Sequence, residues 1–81
     1  MRGGQDVYII NVIAKANAEI PPAIVGRAKR IVKLRTFAIY ELIPENDGEM
    51  KATVLMLSTL KYQGKIIAYR VEQYHKGEGR S

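Results

Sequence analysis

The chain has 81 residues, a formal net charge of +5 and no cysteine, so disulfides and thiolate metal sites are excluded, and the single His75 cannot form a metal site alone. A hydrophobic fraction of 47% excludes a disordered chain, and no apolar run approaches the roughly 18–20 residues that span a bilayer. The basic balance points toward polyanions, nucleic acid foremost.

In chain order, Asp6 to Lys15 (DVYIINVIAK) is rich in β-branched residues and reads as a strand. Pro21-Pro22 then suits a helix start, because proline lacks an N–H that the first helical turn leaves unpaired. Ile24, Val25, Ala28, Ile31 and Val32 share one helical arc, with Arg27, Lys29, Arg30 and Lys33 opposite, which predicts a basic amphipathic helix running toward Arg35. Thr36 to Ile43 reads as a second strand, followed by a turn at Pro44 and Asn46-Asp47-Gly48. Lys51 to Tyr62 and Lys65 to His75 flank Gln63-Gly64 and read as a β-hairpin.

The expected fold is therefore α+β in the order β-α-β-β-β, with one basic amphipathic helix packed on a four-stranded, mainly antiparallel sheet. Residues 6–75 form a single domain in this reading, with residues 1–5 and 76–81 as flexible tails. Both faces of the sheet carry aliphatic side chains (Ile9 and Ile13 against Ile10 and Val12), and one helix covers one face only. An uncovered apolar face predicts a homo-oligomer, a dimer first.

No phosphate-cradling glycine loop or nucleophile elbow is present, so no catalysis and no cofactor are expected. Glu41, Glu45, Asp47 and Glu49 lack the spacing of a calcium loop and read as solvated turn residues. Between Pro21 and Arg35 stand Arg27, Lys29, Arg30, Lys33 and Arg35 without one acidic residue, where an ordinary surface helix would mix in glutamate. A second cluster, Lys61, Tyr62, Lys65, Tyr69, Arg70, Tyr74, His75 and Lys76, interleaves cations with rings, as grooves for single strands do, and Lys61, Tyr62, Lys65, Arg70 and Tyr74 are its candidate contacts. Tyr69 alternates toward the core instead.

These ten residues predict a non-enzymatic protein that binds DNA or RNA through phosphates, with little sequence specificity and a preference for single strands. The competing expectation is a protein–protein interaction module using the apolar sheet face. The N-terminal residues lack a signal-peptide pattern, which, with no membrane partner expected, points to the cytoplasm.

Overall fold

The computed structural model describes residues 5–76, and side chains for residues 7–74. The elements are β1 (Gln5–Lys15), α1 (Pro22–Val25), β2 (Arg30–Lys33), β3 (Phe37–Leu42), α2 (Asp47–Tyr62) and β4 (Ile66–Lys76). The strands form one sheet in the order β2-β3-β1-β4, every neighbouring pair antiparallel. β1 and β2 both run against β3 and are therefore parallel to each other with β3 inserted between them. This is the split β-α-β arrangement, a scaffold that hosts many unrelated functions and so fixes none.

The α+β class and the four-stranded antiparallel sheet are as the sequence predicts, but the long helix lies elsewhere. Lys51–Tyr62, read as a strand, belongs to α2, and the element order is β-α-β-β-α-β. The physical reasons lie at the ends of α2. Asn46 is its N-cap, and its side-chain oxygen accepts the Glu49 N–H at 2.7 Å, while Asp47 and Glu49 place negative charge on the first turn. At the other end Gly64, at φ +80°, donates to the Lys61 carbonyl, and the Lys65 N–H reaches the Leu60 carbonyl. That pair of bonds is a Schellman motif, so Gln63-Gly64 terminates a helix and does not join two strands.

The basic run is not a helix either. Helix formation starts at the proline pair as expected, but α1 is a single turn closed by Gly26, whose N–H meets the Pro22 carbonyl at 2.7 Å. A Cβ at Gly26 would lie 2.9 Å from that carbonyl, so the close approach of its own backbone accounts for the glycine. Beyond it the β-branched pair Ile31-Val32 joins the edge of the sheet, with Arg30 opposite Glu41 and Lys33 opposite Ala38. Cations on an edge strand discourage pairing with another chain, which is a structural reason for part of the charge.

One face of the sheet carries the core. Ile10, Val12 and Ala14 of β1 stand opposite Leu42, Tyr40 and Ala38 of β3, and all six are buried. Ile66 of β4 joins them, Leu57 and Leu60 descend from α2, and Ile24 from α1. Tyr69 packs against this cluster, and its hydroxyl lies 2.7 Å from Ser58 Oγ, joining β4 to α2. The pairing of β4 with β1 is irregular at one point: Ile13 faces Ala68 while Ala14 faces Ile66, leaving Ile67 as an extra residue.

The other face has no helix over it. Ile9 and Ile13 of β1, Ile39 of β3 and Val32 of β2 lie there, Ile13 at 37% exposure. Of the expected flexible tails, Gln5 and Lys76 are paired with each other at the ends of β1 and β4, and the remainder lies outside the described residues. No helix among the described residues is long and apolar enough to cross a membrane.

Candidate nucleic-acid interface

The strand directions decide which charged residues meet. β1 ends at Lys15, which pairs with Phe37 at the start of β3; β2 ends at Lys33, which pairs with Ala38; and β4 starts at Ile66, which pairs with Ala14. The last turn of α2 and its Schellman cap lead into β4 at the same end of the sheet. Lys15, Lys33, Arg35, Lys61 and Lys65 are therefore gathered at one end of the sheet. Three strand spacings of about 4.8 Å set its width at roughly 15 Å. The segments that bring them there, residues 15–17, 33–37 and 61–65, contain no acidic residue. None of the five forms an ion pair among the described residues.

Aromatic rings stand beside these cations. Tyr62 closes α2 with 93% of its surface exposed, and Phe37 opens β3 at 43%. The β2–β3 turn is closed by the Leu34 N–H bonded to the Phe37 carbonyl at 2.7 Å, and it is tied to the β1 terminus by the Ala16 N–H on the Thr36 carbonyl at 3.0 Å. Between them lies a shallow depression of about 480 Å³ lined by Lys15, Asn17, Arg35, Thr36 and Phe37. Two cationic residues, two polar ones and an aromatic thus border one concavity.

Ordinary structural causes cover part of this array. Lys61 and Lys65 lie at the C-terminus of α2, where the helix macrodipole favours a cation by about 0.3–1 kcal/mol. Lys33 protects an edge strand. Neither cause reaches Lys15, on an interior strand, or Arg35, in the turn. Two cations about 10 Å apart in water repel by only about 0.4 kcal/mol, so the fold tolerates the array unpartnered.

Of the ten residues singled out in the sequence, Lys33, Arg35, Lys61, Tyr62 and Lys65 come together here. The other five do not. Arg27 reaches Glu49 at 3.4 Å at the opposite end of the sheet, and Lys29 lies beside it. Arg30 sits on the open face of the edge strand opposite Glu41. Arg70 pairs with Glu72 at 3.2 Å, and the Tyr74 hydroxyl donates to the same carboxylate at 2.6 Å. That hydrogen bond, and then the glutamate charge, hold the Tyr74 hydroxyl above the ordinary tyrosine value. The basic helix and the Lys/Arg/Tyr hairpin are thus replaced by a cationic sheet end. Lys15 and Phe37, absent from the sequence-based set, join it because β1 and β3 are paired in a register that sequence periodicity does not reveal.

Comparison with known protein families, with curated proteins and with solved structures finds no match to this chain.

Proposed function

We propose that the chain is a non-enzymatic nucleic-acid-binding protein, of low sequence specificity and with a preference for single strands, that contacts DNA or RNA through its cationic sheet end. The observation that carries this reading is the set of five cations, without an ion pair among the described residues, beside the exposed rings of Phe37 and Tyr62. Phosphates answer the cations, and unstacked bases have faces to lay on the rings. A cytoplasmic location accompanies the reading.

The test is binding of labelled single-stranded and duplex oligonucleotides across a salt series. Log affinity is expected to fall linearly with log salt. The combined Lys33→Glu, Arg35→Glu and Lys65→Glu variant is expected to flatten the single-strand slope by about 2, at about 0.7 per lost phosphate contact. Phe37→Ala and Tyr62→Ala each remove a stacking platform, with an expected loss of about 1–3 kcal/mol on single strands and little on duplex. An affinity indifferent to salt sinks the reading.

The chain acts as a two-fold homodimer in the same proposal, packed through the open sheet face. Around its aliphatic centre that face carries Arg30 and Arg70 with Glu41 and Glu72, which balance, while Lys15 and Phe37 lie on the same face at its cationic margin, so the two-fold keeps those margins apart. The cationic end, by contrast, repels a copy of itself. Ile13→Asp is expected to yield monomers by light scattering while leaving the cationic end intact. A wild-type chain that stays monomeric at high concentration rules the dimer out.

A further inference from the structure

On the helix-bearing face, at the end of the sheet away from the cationic array, the brevity of α1 leaves ground uncovered. α1 ends after one turn, and between it, the end of β3 and the first half of α2 lies a cleft of about 420 Å³. Small-molecule sites span about 300–1,000 Å³, so the cleft is of a size to hold one.

Its lining includes Thr53, the one buried polar residue of the described chain, at 8% exposure. A helical threonine commonly satisfies its hydroxyl on the carbonyl four residues back, as Thr59 does on Leu55 at 3.2 Å. Thr53 does not, and among the described residues its hydroxyl has no partner. Buried hydroxyls in folded proteins are almost always satisfied, so an orphan lining an open cleft is available to a water or, in its place, to a ligand atom.

The mouth of the cleft defines the ligand's charge. Arg27 and Glu49 already pair with each other, but Lys29 and Glu45 line the same cleft and neither has an ion pair among the described residues. One free cation and one free carboxylate beside the flexible apolar surface of Met56 match a molecule that bears both charges and an apolar body. A simple anion would meet Glu45, and a simple amine Lys29. We propose that this cleft binds an α-amino acid with an aliphatic or aromatic side chain, its carboxylate at Lys29 with one oxygen accepting from the Thr53 hydroxyl, and its ammonium at Glu45. The proposal does not rest on nucleic-acid binding.

The experiment is a titration of the full chain with L-leucine and L-phenylalanine, followed by backbone amide chemical shifts. 4-Methylvalerate and isoamylamine, which keep one charge of leucine each, form the comparison arms. Saturable shifts at Lys29, Glu45 and Thr53 with an amino acid, and weaker binding of both single-charge analogues, are expected. Thr53→Val keeps the shape of the side chain and is expected to weaken binding by about fivefold without loss of fold, as one hydrogen bond implies. Lys29→Gln and Glu45→Gln, at exposed positions, are each expected to weaken it by at least as much. Absence of shifts at millimolar amino acid, equal binding of either analogue, or an affinity unchanged by Thr53→Val overturns the proposal.

Discussion

Where α2 begins, cations and carboxylates are mixed and two pairs close within the chain: Arg27 reaches Glu49, Lys51 reaches Asp47 at 3.2 Å, the two carboxylates also sit on the helix's positive end, and the remaining Lys29 and Glu45 are of opposite sign. Where α2 finishes, Lys15, Lys33, Arg35, Lys61 and Lys65 face solvent with no such partners among the described residues. Both ends are built on the same four strands and the same helix, so the fold does not require either pattern. The difference teaches where to look for function. Charges that satisfy one another explain themselves through folding, whereas a one-sided array needs an explanation from outside the molecule.

The comparison depends on α2 as the rod between the ends, and the largest expected effect comes from loosening it. Leu57 is fully buried under that helix, and Leu57→Ala is expected to cost about 2–5 kcal/mol in denaturant unfolding. The same variant should weaken oligonucleotide binding near its unfolding midpoint, since the cations lose their common frame. Next come the caps, one at each end. Gly64→Ala forces an L side chain into left-handed backbone, with an expected cost of about 1–2 kcal/mol. Asn46→Ala removes the N-terminal cap at about 1 kcal/mol. Thermal melts of the two variants tell which end of α2 is the weaker.

The smallest expected effect concerns Tyr74, near the end of β4 that lies farthest from the cationic array. Because its hydroxyl is held above the ordinary value by Glu72, the bond is intact below pH 10.0 and is lost as pH rises through the raised value. Phenolate absorbance should show a late phase from Tyr74, which Tyr74→Phe removes and Glu72→Gln shifts back toward the ordinary range. No late phase in the wild-type titration counts against this geometry.

How far these features can be read from sequence depends on the kind of signal. β1, β3 and β4 are legible because their β-branched runs are local. α2 is obscured by Val54, Leu55, Met56 and Leu57 in succession, with Leu55 left 70% exposed, so apolar residues lie on the outer side of the helix as well as the inner. The better signal was the Asn46-x-x-Glu49 cap ahead of an apolar run, and Met50, Thr53, Leu57 and Leu60 do recur at helical spacing. Gln63-Gly64 is correctly a turn and wrongly a hairpin, since glycine at positive φ serves either. Ile31-Val32 fits a helical arc and a strand alike, and pairing with β3 decides it. The cationic end was only half visible: Lys61 and Lys65 are neighbours in sequence, but Lys15 and Arg35 reach them through sheet pairing alone.

The extra residue in β4 has a bearing on how the chain tolerates change in length. Removing one residue from the middle of β1 or β3 would turn every later side chain of that strand over, carrying aliphatics outward and charges beneath the helix. Removing Ile67 has no such result, because Ile66 and Ala68 already occupy adjacent pairing positions opposite Ala14 and Ile13. The outermost strand thus holds a spare link, and a one-residue shortening there would leave Tyr69 inward and Arg70 outward as they stand.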